Sequence, residues 1–272
     1  MPELPEVETI RRLLAPAMSG ARFRRVIVNR PNLRIPFPDQ FAARLRGATV
    51  TEVARRGKYL VVTLSSGETL IMHLGMSGWF HVAAIGDRTR ESDAHDHVVF
   101  VMSSGKTVVF NDPRRFGFMD LAGIGTVESY PALSAMGPEP LSPAFAAASL
   151  ARSCRGKKTS IKVTLLDQRV VAGLGNIYAS EALHHARLSP LRRASTIATA
   201  TGKPRRQAEQ LAASIKAVLT SAIRRSEAPY RSGRFRVYDR AGEPCLRKGC
   251  DGTIKQITQA GRSTFYCPIC QR

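Results

Sequence analysis

The chain has 272 residues, of which 43% are hydrophobic, and a formal net charge of +20. Residues 1–150 carry 17 Lys/Arg against 14 Asp/Glu, and residues 151–272 carry 24 against 7, so nearly all the excess charge lies in the second half. A single-sign field of that strength selects a polyanion. No run of eighteen apolar residues offers a membrane-spanning helix and no basic amphipathic segment opens the chain, so nucleic acid is favoured over a lipid surface, with DNA and RNA both open on charge alone.

Removal of Met1 leaves Pro2 as the first residue, with Glu3 beside it. A terminal amine titrates near pH 8, so a useful fraction is unprotonated at neutral pH and can attack an aldehyde-level carbon. A neighbouring carboxylate is placed to move protons for it. The plainer alternative is a stabilised terminus followed by a helix start. Neither Pro2 nor Glu3 resembles the basic-then-apolar opening of a signal peptide, which suggests a cytoplasmic protein. Val7, Ile10, Leu14 and Met18 recur at helical spacing, predicting a helix over Glu6–Met18. From Ala21 to Leu121 the period becomes two. Strands are expected at Phe23–Asn29, Val50–Ala54, Tyr59–Leu64, Leu70–Leu74, His97–Met102 and Thr107–Asn111, with Ser-Ser-Gly turns at 65–67 and 103–105. Without alternation of strand and helix, this region reads as an antiparallel β-sandwich with one helix beside it.

Several residues in this region invite a chemical reading. Lys58 follows Arg55-Arg56-Gly57 at the opening of a strand, where neighbouring cations lower a lysine pKa and permit proton exchange; a solvated strand end is the ordinary alternative. Asn111-Asp112-Pro113-Arg114-Arg115-Phe116-Gly117 puts a guanidinium and a ring on one loop, as a wedge into a duplex requires, and Met76 could add an apolar plug. Core positions for Phe116 and Met76 are the alternative. His95 and His97 lack a third ligand nearby and read as a phosphate contact or as surface histidines. Pro131–Pro143 is a connector, beyond which helices are expected at Phe145–Ser153, Ser160–Gln168, Asn176–Ala186 and Pro204–Arg225. Gly173-Leu174-Gly175-Asn176 reads as a helix start capped by Asn176 that accepts a phosphate, with Lys157, Lys158 and Lys162 upstream; an ordinary turn between helices is the alternative. Ser226–Arg236 is polar and reads as a loop. Four of the five cysteines fall in the last 28 residues as Cys245-x4-Cys250 and Cys267-x2-Cys270, the spacing of a closed four-thiolate Zn²⁺ site clipping a hairpin of Thr253–Thr258 and Arg262–Tyr266. Cys154 reads as a free thiol. The expected division is 1–131, 132–236 and 237–272.

Taken in order, Pro2-Glu3-Leu4-Pro5-Glu6, Gly57-Lys58-Tyr59-Leu60, His73-Leu74-Gly75-Met76-Ser77-Gly78, Asp112-Pro113-Arg114-Arg115-Phe116-Gly117, Gly175-Asn176-Ile177-Tyr178-Ala179-Ser180-Glu181 and the terminal finger resemble the formamidopyrimidine-DNA glycosylases, base-excision repair enzymes also called 8-oxoguanine DNA glycosylases. The resemblance runs from end to end. It implies an α+β multidomain protein: an N-terminal β-sandwich with a flanking helix, a helix-two-turn-helix domain and a zinc-finger hairpin, with damaged duplex DNA between the halves. It implies a monomer with one structural zinc that excises oxidised purines and then nicks the abasic site by β,δ-elimination. Pro2 would attack C1′, Glu3 would be the general acid/base, and Lys58 and Arg262 would donate protons for the β- and δ-eliminations. Met76, Arg114 and Phe116 would fill the gap left by the extruded base, while His95, Lys157, Lys162 and Asn176 fall on DNA-contacting positions. Two features depart from the family pattern, the x4 spacing of the first cysteine pair and a shortened segment before Val237. The rival readings are an endonuclease VIII-like glycosylase for oxidised pyrimidines, and a zinc-finger DNA binder without chemistry. Glu3-Leu4-Pro5 and Arg114-Arg115-Phe116 look like the purine branch, and a pure binder has no use for a free terminal amine.

Overall fold

The computed structural model describes residues 2–87, 92–225 and 235–272. Most of the segment Ser226–Arg236, read above as a shortened loop, therefore lies outside the described residues. Two compact units form: one comprises the residues up to Pro2 with Glu6–Ala135, the other Glu3–Pro5 with Met136–Arg272.

In the first unit, α1 (Leu4–Met18) precedes β1 (Phe23–Val28), a five-residue α2 (Phe41–Leu45), then β2 (Val50–Arg56), β3 (Tyr59–Leu64), β4 (Thr69–His73), β5 (Trp79–Ala84), β6 (Asp96–Met102), β7 (Lys106–Asn111) and β8 (Phe118–Ala122). The strands make two antiparallel four-stranded sheets, ordered β1-β6-β7-β5 and β2-β3-β4-β8. Alternation along the strands produces the sandwich: Leu60, Val62 and Leu64 of β3 are buried while Tyr59, Val61 and Thr63 are only partly so. The core takes Phe23, Phe80, Phe100 and Phe110 together with Val7, Ile10, Leu14 and Met18 from one face of α1. Phe23 meets Phe100 edge-on at 5.3 Å between ring centroids. The Ser-Ser-Gly turns stand where expected, with Gly67 at φ +85° and Gly105 at φ +77°, the region glycine enters without steric cost.

Between Leu4 and Ala122, three elements lie beyond the expected set. α2 has only five residues, too few to display a period. β5 buries Phe80 but otherwise runs through exposed and half-buried positions, with no clean alternation. β8 begins directly after Gly117, and its five residues are too few for an alternation to stand out.

The second unit contains α3's successors: after α3 (Pro131–Ser134), which closes the first unit, come α4 (Ala147–Cys154), α5 (Ile161–Leu165), α6 (Asn176–His185), a 3₁₀ turn at Ala194–Ile197 and the long α7 (Arg206–Arg225). Leu211, Ile215, Leu219 and Ala222 form the buried stripe of α7, as the spacing requires. They pack with Leu150, Ile161, Leu165, Ile177 and Leu183, and Leu4 belongs to this same core. The finger strands, β9 (Lys255–Gln259) and β10 (Arg262–Tyr266), pair antiparallel with Gln259 opposite Arg262. The turn is therefore Ala260-Gly261 alone, both at positive φ, and Gln259 belongs to the strand rather than to the turn. No helix among the described residues is long and apolar enough to cross a membrane.

Candidate active site and metal centre

Glu3 is buried, 2% exposed, and grouped with the second unit. Its Oε1 accepts from the Ile177 N–H at 2.9 Å and its Oε2 from the Tyr178 N–H at 3.3 Å, so the carboxylate sits on the N-terminus of α6. Two unsatisfied amides and the positive end of the helix dipole favour an anion there. The glycines before the helix make this approach possible. A Cβ on Gly175 would stand 2.3 Å from Glu3 Cδ, and one on Gly173 2.8 Å from Leu4 Cβ. Leu4 N–H donates to Gly173 O at 3.1 Å, which ties the N-terminal segment to the same turn.

This geometry corrects the phosphate reading of Gly173-Leu174-Gly175-Asn176. The helix does bind an anion, but it is the protein's own Glu3. Asn176 is also not the cap: Gly175 holds that position, with no side-chain capping bond. Asn176 instead accepts from Lys162 Nζ at 2.5 Å and donates to Ser263 O at 2.9 Å. Lys162 has 0% exposure, and its Nζ also donates to Thr264 Oγ1 at 2.7 Å and Ser263 O at 3.2 Å. Enclosed in this way it links α5 and α6 to β10. Burial first and Arg262 second push its pKa down to about 8, against a pull upward from Glu3. Arg262 opens β10 and is exposed. Glu3, Asn176, Lys162 and Arg262 thus share one neighbourhood; Lys157 follows α4 and is half-buried.

Sequence reasoning missed two residues that build this neighbourhood. Gln168 accepts from Gly173 N–H at 2.8 Å and donates to Leu174 O at 2.9 Å, holding the glycine turn open for Glu3. Glu181, buried in α6, accepts from the backbone N–H of Arg236, Val237 and Tyr238 at 2.9, 2.8 and 3.0 Å. A charged residue on the apolar face of a helix was the available signal for Glu181; for Gln168 there was none.

In the first unit Lys58 lies in the two-residue turn Gly57-Lys58 between β2 and β3, rather than opening β3, and is buried. Arg55 closes that turn through a 2.9 Å bond from Nη1 to Gly57 O. His73 is held at a pKa of about 4 by burial, then by the positive charges of Lys58 and Arg34. Its neutral ring accepts the Gly75 N–H on Nδ1 at 3.1 Å. Gly75 has φ +62°, and a Cβ there would lie 2.2 Å from the backbone carbon of Phe116. The Met76 turn and the Arg114–Phe116 turn are therefore pressed backbone to backbone. Met76 and Phe116 are 41% and 40% exposed, so neither is a core residue, and the Arg114 guanidinium lies 4.9 Å over the Phe116 ring.

Asp112 organises both turns. It accepts from Ser77 Oγ at 2.5 Å and from Gly117 N–H at 2.8 Å, while Ser77 Oγ accepts from Arg114 N–H at 3.2 Å. His97 is buried with Nε2 2.9 Å from Asp112 O, which corrects its reading as a surface histidine; His95 is the exposed member of the pair.

Cys245, Cys250, Cys267 and Cys270 bring their sulfurs within 4.8 Å of one another. Cys245–Cys270 and Cys250–Cys267 stand at 3.9 and 3.6 Å. A zinc tetrahedron with Zn–S bonds near 2.3 Å has edges of about 3.8 Å, so these residues fit Zn²⁺ with no coordination position left over. The site is structural: with Val237, Ile254 and Phe265 it forms the whole core of the finger. Cys154 is buried away from it, and burial pushes its thiol up to about 11.

Comparison with known proteins decides the family. The formamidopyrimidine-DNA glycosylase N-terminal domain matches residues 1–119, the helix-two-turn-helix domain of the same enzymes residues 136–232, and a zinc finger found in FPG and IleRS residues 242–272. The chain belongs to the formamidopyrimidine-DNA glycosylase family. It is 54% identical to the formamidopyrimidine-DNA glycosylase of Rhodopseudomonas palustris strain BisA53, over 100% of both chains. Among solved structures it resembles the Lactococcus lactis glycosylase bound to DNA containing an abasic site, with 31% identity, TM-score 0.86 and 99% of each chain covered. It also resembles MutM in complex with DNA containing carbocyclic 8-oxo-G, with 32% identity, TM-score 0.87 and 100% of each chain covered.

Proposed function

We infer that this chain is a bifunctional DNA glycosylase and abasic-site lyase that removes oxidised purines, formamidopyrimidines and 8-oxoguanine among them, from duplex DNA. The observation that carries the reading is the Glu3 carboxylate fixed on the α6 N-terminus, beside Pro2, which removal of Met1 would make the terminal amine. Pro2 nitrogen attacks C1′ of the damaged nucleotide while the N-glycosidic bond breaks and the base leaves with a proton. Glu3 assists by protonating the ring oxygen, which opens the sugar and leaves a cationic iminium between Pro2 and C1′. That cation acidifies the C2′ proton. Loss of the proton expels the 3′ phosphate, and a second elimination expels the 5′ phosphate.

Lys58 and Arg262 are assigned as proton donors for the two eliminations. Lys58 sits in a cation-rich turn and Arg262 stands exposed on the finger hairpin, which supports both assignments. Met76, Arg114 and Phe116, clustered around Asp112, enter the duplex and occupy the space of the extruded base. His95, Lys157 and Asn176 engage the DNA backbone. Lys162 contributes by fixing Asn176 and β10. Zinc, when bound, supplies no acid or nucleophile and serves only to hold the hairpin. The division at 1–131, 132–236 and 237–272 and action in the bacterial cytoplasm, on the nucleoid, complete the reading.

Borohydride trapping on lesion-bearing duplex tests it. A covalent adduct through Pro2 is expected, since an iminium is reducible; Pro2→Gly retains some trapping, and an N-terminal extension abolishes it. Full activity in a chain with a blocked terminus would overturn the assignment.

A further inference from the structure

The widened first cysteine knuckle, Cys245-Leu246-Arg247-Lys248-Gly249-Cys250, sends a side chain back to a helix. Arg247 Nη2 donates to His184 O and, at 3.5 Å, to His185 O, so it covers the last carbonyls of α6. From the helix side, His184 is buried with Nε2 3.4 Å from Cys245 Sγ. One of the four thiolates is thus reached from α6, and the knuckle between the first two ligands holds the C-terminus of that helix in return.

We propose that His184 and Arg247 are positioning residues of the zinc centre, a two-part latch that makes the C-terminal end of α6 its outer shell. Four thiolates around one Zn²⁺ leave a formal double negative charge on a partly buried cluster, which N–H donors and nearby cations stabilise. A metal-bound Cys245 can only accept, so His184 carries its proton on Nε2 and donates it. Arg247 supplies the cation, and its buried Nε, which has no hydrogen-bond partner, is offset by the anionic cluster it adjoins. The arm belongs to the x4 knuckle itself, with Arg247 two residues after Cys245 and three before Cys250. Docking of the finger as such does not depend on the latch. Gln271 Nε2 donates to Leu188 O at 2.9 Å, and Arg272 and Ser189 are joined through the backbone at 3.1 Å, so the C-terminus is anchored just beyond α6 in any case. The latch acts on the metal.

Metal affinity and a spectroscopic signature decide this on the full-length protein, with no DNA chemistry in the readout, so its failure is distinct from failure of the glycosylase reading. His184→Phe keeps a ring in the pocket without a donor; His184→Gln keeps an N–H at the reach of Nε2. Chelator competition should show zinc affinity about 10- to 100-fold lower in His184→Phe and largely restored in His184→Gln. With Co²⁺ in place of zinc, the thiolate-to-cobalt absorption should shift in the Phe variant and return in the Gln variant. Arg247→Met tests the latch without touching the buried ring and should lower zinc affinity as well. Wild-type affinity in His184→Phe, equal losses in the Phe and Gln variants, or unchanged affinity in Arg247→Met would overturn the proposal.

Discussion

Glu3 shows how much a single carboxylate can be asked to do. It occupies the position that a bound phosphate would take at the start of α6, and it accepts two backbone N–H groups there. Replacing it with Gln removes the charge that the helix terminus favours and turns an amide NH₂ toward one of those N–H groups. About 2 kcal/mol of stability should be lost, read as a lower urea midpoint by far-UV circular dichroism, together with glycosylase activity. Gly175→Ala reaches the same carboxylate from the other side. With its Cβ 2.3 Å from Glu3 Cδ, either the helix start or Glu3 must move. A loss of about 1–3 kcal/mol is expected, with borohydride trapping reduced more than binding to an uncleavable duplex. Trapping at the wild-type rate would show that the turn accommodates the methyl group without displacing Glu3.

At the scale of elements, the first unit brings two strand-end turns together into the surface proposed to enter the duplex. The Met76 turn follows β4 and the Arg114–Phe116 turn precedes β8, and β4 and β8 are hydrogen-bonded neighbours, His73 opposite Phe118. Adjacency in the sheet is what places the two turns together. Their packing depends on a neutral His73, whose Nδ1 accepts from Gly75. Burial and two cations set its pKa at about 4 in the fold, against 6.5 when exposed. Between these values the unfolded chain binds more protons than the folded one, so stability rises with pH across the window and is lost as pH falls from about 6.5 toward 4. The effect amounts to about 2–3 kcal/mol over that range. It should be visible as a falling melting temperature and should flatten in His73→Gln. Phe116→Ala and Arg114→Ala, by contrast, should leave stability alone, slow excision of a stacked lesion, and spare cleavage of a preformed abasic site, where less has to be extruded.

For the whole molecule, the charge of residues 151–272 predicts binding that weakens steeply with salt. Each phosphate neutralised contributes about 0.9 to the slope of log affinity against log salt. Half-buried Lys157 and fully enclosed Lys162 should separate in this measurement. Lys157→Ala should reduce the slope by about that amount. Lys162→Met should leave the slope nearly unchanged and instead loosen the finger hairpin, because Asn176, Thr264 and the Ser263 carbonyl lose a shared donor. Removing zinc, or replacing Cys267 with Ser, should disorder the hairpin and displace Arg262 while the β-sandwich keeps its near-UV signature.

The sequence by itself determined whatever depends on local pattern. Period-two alternation marked six of the eight sandwich strands, heptad-like spacing marked α1 and α7, and paired cysteines marked the metal site, because each signal is carried by residues close together in the chain. The motifs also supplied the residues, from Pro2 to Arg262, that the proposed chemistry uses. Only the tertiary structure decided what those residues touch. Gly173 and Gly175 read as a phosphate cradle because nothing local announces that Glu3, more than 170 residues earlier, supplies the anion. Lys162 read as one of three lysines beside a phosphate site because its partners on β10 lie about a hundred residues away. His184 and Arg247 carried no signal at all, since a histidine beside a thiolate and an arginine beneath a helix end acquire meaning only when the chain brings them together. Burial and hydrogen-bond pairing are properties of the closed fold, and a charged side chain looks the same in sequence whether it faces water or another part of the protein.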